Sequence, residues 1–205
     1  MQFNKVTMKQ KLINLQTSSY EHPFDKAALE KVNAIPMLPK IVNFVMNWTV
    51  IKWKIVSMCG SNFHVTKGAC PDLAELSNEV FDILDLDRHP ELYMEQDYYI
   101  NAYTTGHQKD AFIVLSTGSV DRLDDGELQF ATGHEAGRIK SNHVLYHLMT
   151  AYLAQIVSAI PGASTVSLPL QTALWYWNRM SEFTADRAGL LACQDLNAAL
   201  SAIMK

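Results

Sequence analysis

Residues 133–143 read Gly133-His134-Glu135-Ala136-Gly137-Arg138-Ile139-Lys140-Ser141-Asn142-His143. On a helix, residues i and i+4 lie only ~40° apart around the axis. Two histidines at that spacing face one metal ion, and a glutamate directly after the first reaches a water bound to it. His134 and Glu135 supply the first two parts of this pattern, and arginine stands at position 138, where the second imidazole belongs. A guanidinium has no free lone pair and stays charged at any working pH, so Arg138 cannot ligate a metal. Taken alone, a His-Glu pair on an apolar helix is more often packing than chemistry.

A second segment changes that weighting. Glu182-Phe183-Thr184-Ala185-Asp186-Arg187-Ala188-Gly189 begins 47 positions after Glu135. A glutamate on a second helix is the usual third ligand of such a site. Asp186, four residues on, shares its helix face and is suited to holding a ligand histidine by the other ring nitrogen. The plain alternative is a solvated face, but Trp177, Phe183, Leu190 and Leu191 make the flanks strongly apolar.

Working outward, Asp124-Asp125-Gly126-Glu127 forms a D-x-x-E capping box. It predicts a helix from about Asp125 to Tyr146 or beyond. Pro161-Gly162 breaks the pattern, and Pro169 is placed to open the last helices. Upstream, residues 92–95 and 112–116 read as strands around the turn-rich stretch 101–106. Residues 71–86 read as a helix through Leu73, Leu76, Val80, Phe81 and Leu84, with Pro71 in its first turn. Residues 54–59 and 63–66 read as a hairpin around Gly60-Ser61. Residues 38–48 read as a helix. Residues 1–36 read as a lead-in holding one short helix capped by Asp25, which leaves 37–205 as the main domain.

The bulk composition supports a folded core: 48% of the 205 residues are hydrophobic and 19% charged. The net charge of −4 comes without a basic block, which argues against nucleic acid as a partner. The cysteines, Cys59, Cys70 and Cys193, are odd in number and show no C-x-x-C spacing. That argues against a cysteine-built zinc site or a disulfide framework and points to a reducing, cytoplasmic setting. The apolar stretches 41–58 and 144–160 are interrupted by polar or charged residues, so neither qualifies as a transmembrane span. Peripheral membrane contact is the alternative they leave open.

Together, Asn101-Ala102-Tyr103, the strand at 112–116, the D-x-L-x-x-x-E-L lead from Asp121 to Leu128, the block at 133–143 and the block at 181–192 resemble the HtpX-like zinc metallopeptidase family, which includes the CAAX prenyl proteases. The resemblance covers about residues 52–205. It implies an α+β, mainly helical zincin-like domain with a small sheet beside the helix of the H-E motif. It further implies Zn2+ as cofactor, His134 and Glu182 as metal ligands, Glu135 as general base and Asp186 as the residue that orients His134. Extended polypeptide would pair with the strand of Phe112, Val114 and Ser116, and Asn101 would lie near that cleft. The family's block reads G-H-E-L-G-H-I-K-S-G-H, so this chain departs at Ala136, Arg138 and Asn142, and of these only position 138 is a metal-ligand position in the family.

Zinc occupancy is therefore in question, and two functions compete: a zinc metalloendopeptidase impaired by Arg138, and an inactive pseudopeptidase that binds polypeptide. On a continuous helix His143 points ~180° from His134, and His147 is also off the face, so neither is expected to replace the missing ligand. A loop histidine such as His107 is a remoter substitute. The guanidinium of Arg138 is expected at or near the metal position, paired with Glu182 or, failing that, Glu135. The alternative is that Arg138 extends out to solvent and leaves the site empty or water-filled, but a buried unpaired glutamate would be the costlier outcome.

Overall fold

In the computed structural model, residues 9–47, 49–106, 110–162, 165 and 167–205 are described. Along the chain come α1 (Pro23–Asn33), α2 (Leu38–Asn47), α3 (Thr49–Ser61), β1 (Phe63–His64), α4 (Pro71–Ile83), β2 (Glu91–Glu95), β3 (Ala102–Thr105) and β4 (Phe112–Ser116). They are followed by α5 (Thr117–Arg122), α6 (Asp125–Lys140), α7 (Val144–Ala151), α8 (Leu153–Ala159), α9 (Ser167–Cys193) and α10 (Leu196–Met204). The result is an α+β domain, mainly helical, with a small mixed sheet. Among the described residues, no helix is long and apolar enough to cross a membrane.

The sheet order is β1-β2-β4-β3. β1 and β2 are antiparallel, β2 and β4 parallel, and β3 and β4 antiparallel with Thr104 opposite Ile113. β4 is buried along its whole length, which fits its unbroken apolar run. Its flanks are both taken, by β2 and β3. The sequence reading gave the role of pairing with substrate to the strand of Phe112, Val114 and Ser116; the edge is instead β3, within what had read as a turn-rich stretch.

Residues 54–59 do not form a strand but lie within α3. The β-branched run is ambiguous by itself, and tertiary packing decides. Ile55, Met58 and Cys59, at helical spacing, cover Tyr93, Phe112 and Val114 on one face of the sheet. His22, not Asp25, caps α1 by accepting from the Phe24 N–H. Asp25 lies in the first turn and is wholly buried. Of the expected helix at 38–48, residues 38–47 form α2, and Trp48 lies outside the described residues.

α6 starts where the capping box puts it: Asp124 accepts from the Glu127 N–H and Glu127 from the Asp124 N–H. The buried Glu127 carboxylate also binds Ser201 and Lys205, tying α10 to this corner. The helix stops at Lys140 rather than running on to Tyr146. Asn142 takes a left-handed conformation, φ 57°. The His143 N–H reaches back to the Arg138 carbonyl and the Asn142 N–H to that of Ile139. This is a Schellman termination with asparagine, one of the few residues that tolerate that φ, in the place usually held by glycine. α7 then leaves in a new direction.

α6 and α9 cross very closely, because the contact line is built from glycine and alanine. A Cβ added at Gly133 would stand 2.3 Å from the Ala192 Cβ, and one at Gly137 2.3 Å from the Ala188 Cβ. One at Gly189 would meet the Phe130 carbonyl at 2.8 Å. The lead-in helix α1 packs on the same body through Ala28 and Val32, in one cluster with Leu174 and the fully buried Trp177.

Gly137→Ala separates two opposed effects. Alanine favours a helix by ~1 kcal/mol over glycine, whereas overpacking costs ~1–3 kcal/mol. With Ala188 backed by α9, we expect a net loss of ~1–2 kcal/mol in urea unfolding. Gly60→Ala, where a Cβ meets nothing within 4 Å, should be neutral or stabilising.

Candidate active site

The glycine-alanine crossing brings the polar faces of α6 and α9 into contact. His134 Nε2 lies 3.3 Å from Glu182 Oε2, and His134 Nδ1 lies 3.0 Å from Asp186 Oδ1. Asp186 thus fixes the ring from behind while Nε2 looks into the cleft. Glu135 is 4% exposed, and its Oε1 stands 3.8 Å from the same Nε2. Thr104, on the edge strand β3, donates to Glu135 Oε2 at 2.7 Å and also lies 3.1 Å from the Glu135 carbonyl.

The Arg138 side chain fills the space between these groups. Its Nη2 donates to Glu182 Oε2 at 2.7 Å and lies 3.0 Å from His134 Nε2. Its Nε lies 3.6 Å from Glu135 Oε2, beyond hydrogen-bonding reach. The ion pair with Glu182 expected from sequence is therefore present, and the guanidinium points inward, with only 18% of the side chain exposed. Its Nη1 meets a residue the sequence reading had set aside. His147 Nε2 lies 3.1 Å from Nη1 and Nδ1 lies 3.4 Å from it. The turn at Asn142 swings α7 back over the cleft, so His147 arrives from a direction that a straight helix forbids. The signal for it was the Ser-Asn pair at 141–142, a helix stop in the middle of the motif block.

The charges follow from this packing. Burial opposes ionisation of His134, but the hydrogen bonds with Asp186 and Glu182 and the charge of Glu135 outweigh it and push the pKa up to about 9. With Nε2 protonated, His134 and Arg138 are two donors sharing the Glu182 oxygen. Burial alone would raise the pKa of Glu182, yet His134 and Arg138 hold its carboxyl below the usual range. His147 is the opposite case: burial, reinforced by the Arg138 charge, pushes it down to about 3 and keeps it neutral.

A metal site needs lone pairs converging at ~2.0–2.2 Å. Arg138 offers none and engages both His134 and Glu182. Among the described residues, no group of three or more His, Cys, Asp or Glu side chains is placed to hold a metal ion. The side chains as arranged do not fit zinc. His107 lies outside the described residues. Asn101 sits at the entry to β3, where its backbone is held by Ser116 and Ser119. Phe112 and Val114 are core residues, and Ser116 caps α5 by accepting from the Ser119 N–H. Thr104 was missed because a threonine in a turn-rich stretch carries no signal of its own.

Beneath the cleft, the wholly buried Asp25 accepts from Thr184 Oγ1 at 2.5 Å and lies 3.3 Å from His143 Nε2. This ties the lead-in to α9 two residues from Glu182. Burial holds the His143 pKa below its usual value despite the neighbouring Asp25. Below pH ~6.5 the unfolded chain takes up protons that neutral, buried His143 and His147 refuse. Unfolding free energy should therefore fall as pH drops from about 6.5 to 5, by up to ~1.4 kcal/mol per pH unit for His147, with a further contribution of the same sign from His143. Denaturant titrations at several pH values should show a flatter dependence for His143→Asn.

Comparison with known proteins agrees with this architecture. The family model described as Peptidase family M48 matches residues 70–205. The chloroplastic plastoglobule-localized metallopeptidase 48 of Arabidopsis thaliana is 30% identical over 194 residues, 94% of this chain and 56% of that protein. A protease HtpX homolog of Helicobacter pylori is 23% identical over 153 residues, 62% of this chain and 49% of that protein. Another, of Tropheryma whipplei, is 27% identical over 116 residues, 56% of this chain and 38% of that protein. The chain thus spans about half the length, or less, of these relatives. No solved structure matches significantly.

Proposed function

The chain belongs to peptidase family M48, whose model covers residues 70–205, and we propose that, with arginine at position 138, it is a polypeptide-binding member whose zinc-dependent hydrolysis is lost or strongly reduced. The observation that carries this reading is the guanidinium of Arg138 bonded to Glu182 at 2.7 Å and lying 3.0 Å from His134. It supplies positive charge where the family's metal would. Two unit charges at 4 Å interact by about 4 kcal/mol at an effective dielectric near 20, so a divalent ion placed beside the guanidinium meets about twice that repulsion. Loss of one protein ligand weakens the metal further.

Polypeptide binding draws on the sheet edge. β3 is bonded to β4 on one side and ends the sheet on the other. An extended peptide added to that edge would form main-chain hydrogen bonds, a form of β-augmentation. Thr104 connects this strand to Glu135, so the added strand would run beside the cleft, with Asn101 at its start. The working location in this reading is the cytoplasm, with peripheral membrane contact. Free cysteines support the first, and Trp53 and Val56, exposed at 70% and 64% on α3, support the second.

The competing reading, a zinc metalloendopeptidase, is favoured by how much of the site survives. The His134–Asp186 contact is formed, and Glu135 stands beside it. In that reading Glu135 would be the general base, and His134 and Glu182 would be ligands of a zinc ion that activates water.

Casein hydrolysis distinguishes the two. Loss of a residue that merely supports a metal ligand costs 10–100-fold, so loss of a ligand should cost more than about 100-fold. We expect the unaltered chain to show less than about a hundredth of the chelator-sensitive activity of Arg138→His, while binding the same unfolded substrate. Robust chelator-sensitive cleavage by the unaltered chain would overturn the reading.

A further inference from the structure

Where the lead-in helix α1 lies along α9, several aromatic side chains stay in solvent. Phe24 is 59% exposed, and on α9 Trp175, Tyr176 and Phe183 are 54%, 47% and 44% exposed. We propose that this two-helix face docks on the surface of an anionic phospholipid bilayer. The inference rests on the peripheral membrane contact of the reading above, and names the face and the lipid charge that would make that contact.

Ring contacts fix the arrangement. The His22 ring stands 4.9 Å from that of Phe24 and 5.0 Å from that of Phe183, and Lys31 Nζ lies 5.2 Å from the Tyr176 ring centroid. Phe24 precedes Lys31 by seven residues on α1, and Tyr176 precedes Phe183 by seven on α9. The two helices therefore run antiparallel, with one stripe along their seam. Leu168, Thr172, Trp175, Arg179 and Phe183, spaced by three or four residues, carry the stripe over ~22 Å of α9. At ~150–250 Å² per aromatic side chain, the exposed apolar part comes to roughly 500 Å². That is the upper end of what a monomer leaves bare, and patches of this size are often functional. The opposite faces of both helices pack normally, since Ala28, Val32, Leu174 and Trp177 share one core cluster.

Charge decides the occupant. The stripe carries the exposed cations Lys31 and Arg179 and no carboxylate. Glu30 is turned ~100° around α1 from Lys31. Glu182 and Asp186 face the cleft, bonded to Arg138 and His134. Glu21, at the Phe24 end, lies beside Arg187, which donates to its carbonyl at 3.2 Å. The face is thus locally positive on a chain of net charge −4. Two-fold pairing with a second copy would bring four cations together with no carboxylate between them. An anionic headgroup layer answers them instead. Trp175 and Tyr176 suit the headgroup level, Lys31 and Arg179 reach the phosphates, and Phe24, Phe183 and Leu168 enter the acyl boundary.

Co-sedimentation of the full chain with phosphatidylcholine vesicles, with and without phosphatidylglycerol, tests this. The unaltered chain should bind the anionic vesicles at least ~10-fold more tightly than the neutral ones, and salt should weaken that preference. Lys31→Glu/Arg179→Glu, at two exposed positions, should abolish it. Trp175→Ser/Phe183→Ser should weaken binding to the anionic vesicles by at least ~10-fold. Trp175→Leu/Phe183→Leu, which keeps the apolar character, should restore most of that loss. Vesicle binding unchanged in the charge and serine variants but lost in Trp53→Ser/Val56→Ser on α3 would overturn the proposal and leave the membrane reading standing. A dimer in sedimentation equilibrium that Phe183→Ser dissolves, with vesicle binding untouched by that change, would assign the face to a second copy and also overturn it. No binding to vesicles of either composition would overturn both the proposal and the membrane contact it rests on.

Discussion

Where α6 meets α9, the side chains shrink to a hydrogen or a methyl group. Gly133 and Gly137 lie against Ala188, Gly189 and Ala192 with no room for another carbon. Close approach of this kind gains dispersion over a long line of atoms and leaves the helices no freedom to slide. It also fixes the chemistry. With the backbones this near, short side chains such as Glu182 and Asp186 reach His134 directly, and a bulkier contact line would move them beyond ligand distance. The motif residues are therefore only half of the site, and the small residues between them are the other half.

That closeness creates an electrostatic demand. Glu135, Glu182 and Asp186 gather around one imidazole in a partly buried cleft, and like charges at such distances are costly unless a cation joins them. Arg138 meets the demand from within the chain. Its guanidinium pairs with Glu182, and His134 takes up a proton under the pull of the same carboxylates. A metal ion and an arginine answer the same physical requirement, but an ion can polarise a bound water, whereas the guanidinium can only donate hydrogen bonds. In the proposed reading, Arg138 keeps the charge balance of the cleft without supplying a centre that activates water.

Much of this was legible in sequence because the informative residues sit in compact helical blocks. His134, Glu135 and Arg138 share one face, Glu182 and Asp186 share another, and Asp124 with Glu127 marks where α6 begins. What escaped depended on contacts distant in sequence. Residues 54–59 look like a strand until Ile55, Met58 and Cys59 are seen to cover the sheet. Phe112, Val114 and Ser116 look like an accessible strand until β2 and β3 are seen to flank it. His147 looked misdirected because the periodicity argument assumed an unbroken helix, and Asn142 breaks it. Asp25 looked like a helix cap, whereas it is a buried anchor for Thr184.

The central claim is that a guanidinium, not a metal, stands between His134 and Glu182. The most direct test is a crystal structure of the unaltered chain grown with excess zinc, with anomalous data collected across the zinc edge. The account predicts the Arg138 guanidinium bonded to Glu182 beside His134, with no anomalous peak in the cleft. A zinc peak held by His134 and Glu182, with Arg138 turned out to solvent, would contradict it.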